Sequence, residues 1–247
     1  MRAENRSRST TEADRRGLGW LTAGLGGAGL VVGLVVAPTD AAQGDAQRLM
    51  YLHVPAAWTA FAAFAVVALA SGAYLTRRDL RWDRYARAAA EIGVGCTALA
   101  IALGAVWGKA TWGAWWAWDP RLVSTTLLLI VYCGYLCVGR AGPVAGHSER
   151  ARHRAATHTA FLGVAGFALV PVVHFSVVWW RSLHQPATIL AVHGPPIDLL
   201  MGIALLLCVA AFTTGAAWVF LRRVDALERA AAASRTAGRP TLRSGAR

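Results

Sequence analysis

An all-α membrane bundle of six transmembrane helices, with both termini cytoplasmic, is the fold class this sequence predicts, and three observations predict it. Charged residues make up only 15% of the 247-residue chain while 56% are hydrophobic, whereas a soluble domain carries roughly a quarter charged residues. The apolar residues fall in six blocks, each about long enough to cross a bilayer as a helix. The basic residues alternate between the loops that join those blocks, as the positive-inside rule requires of a polytopic protein.

In chain order, residues 1–16 are polar, hold five arginines and are expected to form a loose cytoplasmic tail. The first span is expected over 17–37, rich in Gly, which permits close helix packing. Residues 38–54 form a loop whose single basic residue is Arg48. Span two starts at Pro55, placed in a first turn where its missing N–H costs nothing, and runs to residue 75. A basic loop over 76–87 leads into span three at 88–106. A Trp-rich loop covers 107–121, and Asp119-Pro120 reads as an N-cap and a first-turn proline opening span four at 122–138. After a second basic loop at 139–154, span five covers 155–178, with a kink expected at Pro171. A third outer loop runs from Trp179 to Pro196, span six covers 197–221, and residues 222–247 form a second cytoplasmic tail. The membrane domain is thus 17–221.

The two tails and the two basic loops hold 5, 5, 4 and 7 of the 25 Lys and Arg, and the three opposite loops hold only Arg48, Lys109, Arg121 and Arg181. The arginine-rich side is therefore the cytoplasm and the Trp-rich loop faces out. The net charge of +12 reads as a topology signal and not as a nucleic-acid surface, because the arginines sit in short clusters between apolar blocks. No cleavable signal is expected at the polar start. Cys96, Cys133, Cys137 and Cys208 lie inside apolar blocks with no C-x-x-C and no C-x-x-C-H. That excludes a thioredoxin-type redox motif and covalent attachment of a c-type haem to the chain itself.

The stretch from Trp107 to Asp119 puts five of the chain's eleven tryptophans into thirteen residues. On a helix, Trp112 and Trp116, and likewise Trp115 and Trp118, would share neighbouring faces. Interface anchoring is one reading, but it spreads a few Trp over several helix ends. Five in one loop favour a platform for a flat apolar ligand. His53 and His184 lie on the same outer side, each two residues before a proline and each near tryptophans. Two histidines in matched settings beside a Trp platform point to the axial ligands of a haem iron, since zinc would want three or four ligands close together. His174 and His193 are secondary candidates, whereas His147 and His153 are expected to be solvated.

Trp107-Gly-Lys-Ala-Thr-Trp-Gly-Ala-Trp-Trp-Ala-Trp-Asp-Pro-Arg-Leu122 resembles the tryptophan-rich (WWD) signature of the haem-handling proteins of cytochrome c maturation. Tyr51-Leu-His-Val-Pro-Ala-Ala-Trp58 and Trp179-Trp-Arg-Ser-Leu-His-Gln-Pro186 resemble the flanking histidine motifs of one branch, the CcmC family. Three motifs in order, over about residues 17–221, carry the resemblance. It implies a multi-pass protein of the bacterial inner membrane that holds haem b at the outer face and delivers it to the haem chaperone CcmE. The implied partners are the transporter subunits CcmA and CcmB, the small membrane protein CcmD and the membrane lipid. The implied site comprises His53 and His184 with Trp107, Trp112, Trp115, Trp116, Trp118 and Asp119. Lys109, Arg121 or Arg181 is expected to pair with the propionates. The outer face shows no nucleophile–base pair or carboxylate dyad, so a binding and delivery protein is expected and not an enzyme, lyase-like assistance to the chaperone aside. The competing reading is a permease subunit for a small apolar substrate, which needs polar groups inside several spans; only Glu91 and His174 qualify. A quinone-type oxidoreductase would need histidine pairs within spans, and none is present.

Overall fold

The computed structural model of the chain describes residues 2–140, 149–184 and 197–237, with side chains from residue 14 onward apart from a few helix-end positions. His147, His193 and the Gln185-Pro186 end of the second histidine motif lie outside the described residues. Seven α-helices are described: α1 (Arg2–Val31), α2 (Met50–Arg77), α3 (Leu80–Trp112), α4 (Pro120–Arg140), α5 (Glu149–Phe167), α6 (Leu169–Trp179) and α7 (Leu199–Ala237). A π-turn (Val32–Val36) ends α1, and a 3-10 turn (Asp45–Leu49) leads into α2. Together they make six membrane-length apolar stretches, because α5 and α6 form one span from Glu149 to Trp179. Among the described residues there is no strand, only an isolated bridge between Asp40 and Gly44.

The break within span five falls at Ala168, three residues before Pro171. Pro171 has no N–H for the carbonyl of Phe167, and its ring crowds that carbonyl, so the ladder is interrupted one turn upstream. Four expected boundaries need correction. The N-terminal segment is not a loose tail but part of α1, and the C-terminal segment is helical to Ala237. No Gly or Pro intervenes before Gly17, and Ala-rich 226–233 has high helix propensity. Each segment therefore propagates a helix already nucleated by its span. Helix α2 begins at Met50 and not Pro55, because the 3-10 turn at 45–49 supplies its first turn. This puts His53 on a rigid helix. Helix α3 continues to Trp112, where Gly113 adopts a left-handed φ of 76° that ends it.

The core is small-residue packing around aromatics. Phe64 and Tyr132 stack at 3.8 Å in a cluster with Ala60, Val67, Ala90 and Leu128. A Cβ on Gly93 would sit 2.5 Å from the Phe64 ring, so only glycine lets α2 and α3 approach this closely. The turn between them is two residues: Arg78 closes α2, and the Asp79 side chain caps α3 by accepting from the Arg81 N–H at 2.8 Å. Glu91, the acidic residue of span three, pairs with Arg223 and with Arg87 at 3.5 Å. His153 is not merely solvated: its ring lies against Tyr74 at 6.1 Å, with Nδ1 3.2 Å from the Tyr74 hydroxyl.

Candidate functional site

The alternation of helices brings the start of α2, the end of α3, the start of α4 and the end of α6 to one end of the bundle. Between them lies a cavity of about 320 Å³. His53 and His184 both line it, with Trp107, Trp112, Trp115 and Trp116. The two imidazoles are far apart in sequence, yet their ring centroids are 6.3 Å apart and their planes 34° from parallel.

 One comes from the first turn of α2 and the other from the segment that follows α6.

Each histidine is positioned by its surroundings. The His53 ring meets the edge of Trp107 at 5.6 Å and 84°. A Cβ on Gly104 would lie 3.0 Å from its Cε1, so glycine at 104 makes the space the ring occupies. Its buried Nδ1 has no hydrogen-bond partner among the described residues. His184 meets the edge of Trp112 at 6.5 Å, and its Nδ1 lies 3.2 Å from Arg121 Nη1. A guanidinium only donates, so Nδ1 is the acceptor and the neutral ring carries its proton on Nε2.

Asp119 does more than cap. Its carboxylate accepts from the Arg121 N–H at 2.9 Å, opening α4 as expected. The same carboxylate accepts from Ser182 Oγ at 2.8 Å and the Leu183 N–H at 2.7 Å. Ser182 Oγ in turn accepts from the His184 N–H at 3.0 Å. Asp119 thus ties the Trp segment to the segment that carries His184. Burial alone would raise its carboxyl, but the Leu183, Ser182 and Arg121 donors outweigh it and hold the group below the usual carboxylate value.

The tryptophans divide into two groups. Trp107 and Trp112 are on α3, and Trp107 donates to Gln43 Oε1 at 2.8 Å. Trp115, Trp116 and Trp118 lie in the irregular segment between α3 and α4, so the expected helical pairing of 112 with 116 and of 115 with 118 does not occur. Gly113 stops one helix and Pro120 starts the next, and the six residues between them are irregular. Trp118 does not line the cavity: it is 86% exposed and meets Trp116 edge-to-face at 5.8 Å. Of the three basic candidates, Arg121 alone lines the cavity; Lys109 caps α3 through the Gly113 carbonyl at 2.9 Å, and Arg181 is exposed. The floor is formed by Phe61, Thr97, Val173 and His174. Gln43, Gly104 and Ser182 were not legible as site residues, because their contacts bridge positions 51 to 64 residues apart or depend on a missing Cβ.

Among the described residues no group of three or more His, Cys, Asp or Glu is placed to hold a metal. Two imidazoles in an aromatic cavity suit a metal that brings its remaining ligands with it.

Comparison with known proteins agrees with this chemistry. A family model described as "Heme exporter protein C" matches residues 4–237. The chain is 36% identical over 204 residues to a protein named heme exporter protein C from Haemophilus influenzae, covering 83% of this chain and 80% of that one. It is 37% identical over 187 residues to the protein of that name from Bradyrhizobium diazoefficiens, covering 74% and 68%. It is 33% identical over 177 residues, 72% of each chain, to a putative cytochrome c biosynthesis ccmC-like mitochondrial protein from Marchantia polymorpha. With a match over nearly its whole length and a cavity built from the motifs that first suggested the likeness, the chain belongs to the heme exporter protein C family.

Proposed function

We propose that this protein takes up haem b in the cavity at the outer face of the bacterial inner membrane and delivers it to the chaperone CcmE for cytochrome c maturation. In this reading it works beside CcmA, CcmB and CcmD and is not itself an enzyme. The observation that carries the reading is the His53–His184 pair, 6.3 Å between ring centroids inside a Trp-walled cavity. Metal–imidazole bonds are roughly 2 Å long, so two rings on opposite sides of one metal have centroids on the order of 6 Å apart. Membership of a family whose relatives are named for haem export supports the same reading.

In this reading His53 and His184 would hold the haem iron and the cavity tryptophans would pack against the macrocycle. Arg121 would have two roles. While it donates to His184 Nδ1, the proton sits on Nε2 and that nitrogen has no lone pair to give. If His184 held the iron through Nε2, its ring proton would have to sit on Nδ1, which could then not accept from Arg121, and the guanidinium would be free to meet a propionate. Glu91 is neutralised by Arg223 and Arg87 near the arginine-rich end, which weakens the permease reading, since no chain of unpaired charges crosses the described spans.

The test is the visible spectrum of the purified protein after incubation with haem. A Soret band that rises in proportion to protein and a six-coordinate low-spin spectrum are expected; a colourless sample after gel filtration overturns the haem reading.

Orientation has its own test. In a variant with the native cysteines replaced, Lys109→Cys is expected to react with an impermeant maleimide in intact spheroplasts, and Arg81→Cys and Ser234→Cys only after lysis. Lys109 and Arg81 are exposed and Ser234 half-buried, all near helix ends, and outside labelling of position 81 would reverse the topology.

The Asp119 clamp gives a third expectation. Asp119→Asn keeps the shape but turns one acceptor oxygen into a donor facing the Leu183 N–H or Ser182. Bonds to a charged acceptor contribute about 1.5–3 kcal/mol each, so haem affinity is expected to fall roughly tenfold or more while membrane levels hold. Wild-type affinity in the Asn variant would show that the clamp does not position His184.

A further inference from the structure

The end of the molecule away from the cavity has a second recess, of about 630 Å³, between α1 and α7. Arg16 and Trp20 face it from α1, at i,i+4 spacing, and Trp218, Arg222 and Arg229 from α7, at i, i+4 and i+11. Each set is therefore one helical face. Arg15 of α1 pairs with Asp225 of α7 and ties the two walls together. The Arg222 guanidinium lies over the Trp218 ring, 4.9 Å from its centroid, which fixes its place at the edge of the recess. Arg16, Arg222 and Arg229 have no carboxylate partner among the described residues. The recess therefore holds three uncompensated positive charges beside two indoles.

Its surroundings decide what kind of anion fits. Trp20 is 78% exposed and stands where the polar part of α1 meets its apolar span. That span is only 11% buried within the molecule, so its surface is left to acyl chains or to neighbouring helices. A basic recess that opens onto apolar helix surface at the arginine-rich side matches a lipid in the cytoplasmic leaflet, phosphate above and chains below. We propose that the recess between the basic ends of α1 and α7 binds the phosphodiester headgroup of an anionic phospholipid, with Arg16, Arg222 and Arg229 contacting phosphate and Trp20 flanking the chains.

The test uses the full chain in a neutral detergent and follows its thermal unfolding midpoint. Cardiolipin is expected to raise the midpoint saturably, whereas phosphatidylcholine and inorganic phosphate at matched concentration leave it unchanged. In the Arg16→Gln/Arg222→Gln variant, half of the shift is expected to need about tenfold more cardiolipin or beyond. Arg229→Gln alone, an exposed position outside the Arg15–Asp225 tie, gives a smaller change in the same direction and serves if the double variant folds poorly. A wild-type response in both variants overturns the site. An equal shift with inorganic phosphate overturns the lipid and leaves a soluble-anion recess. The haem spectrum is read in parallel, so that failure here is separable from failure of the haem reading.

Discussion

Replacing both His53 and His184 by Ala is expected to abolish stable haem capture, and each single replacement to convert the six-coordinate low-spin spectrum to a five-coordinate high-spin one. Partners that only orient a metal ligand are worth about 10–100-fold in metal affinity, so loss of a direct ligand is expected to cost about a hundredfold or more. Two features make the interpretation clean. The rings occupy a cavity edge and not the packed core around Phe64 and Tyr132, so the bundle is expected to survive. Imidazole added to either single variant is expected to restore the low-spin spectrum, because the vacated space accepts a free ring, and a merely structural role would not respond to it. If both single variants keep the six-coordinate spectrum, the pair is not the ligand set. His174, on the cavity floor and edge-on to Phe175 at 4.9 Å, is then the residue to replace next.

The part of this site that was legible in the sequence was local. Span number follows from apolar run length and arginine alternation, which depend on the bilayer and not on which helices touch. The histidines and tryptophans stood out because residue type and spacing carry their chemistry. Boundaries were less legible where helix propensity and tertiary packing pull in different directions. Trp107 and Lys109 lie within the continuous helix that ends at Trp112, where the sequence suggested a loop from residue 107. The Asp119 clamp spans 63 and 64 positions to Ser182 and Leu183, and no local pattern announces a hydrogen bond of that range. The same holds for Trp107 with Gln43, and for His153, whose partner Tyr74 lies 79 positions away. Exposure divides Trp116 from Trp118 although they are two residues apart in one motif, because the chain between Gly113 and Pro120 follows no regular period.

That division yields the second large effect. Trp115 and Trp116 line the cavity, and Trp118 does not. A well-placed aromatic contact contributes about 0.5–1.5 kcal/mol beyond its buried area, so removing two such walls weakens haem binding by roughly five- to 150-fold on that contribution alone. Trp115→Ala/Trp116→Ala is therefore expected to lower haem affinity by at least that much with normal membrane levels. Trp118→Ala is expected to leave haem affinity near wild type and to slow transfer to CcmE, because an indole 86% exposed at the mouth is placed to meet a partner or the lipid surface and not the ring in the cavity. The measurements are equilibrium haem binding and the rate of transfer to CcmE, each normalised to membrane-inserted protein. An interface anchor works by partitioning, so an anchor alone would show both variants losing inserted protein while the surviving protein binds and transfers haem normally. That outcome removes the platform. Loss of affinity in Trp118→Ala as large as in the double variant would instead mean that the segment between Gly113 and Pro120 folds over the bound haem and carries Trp118 into contact with it.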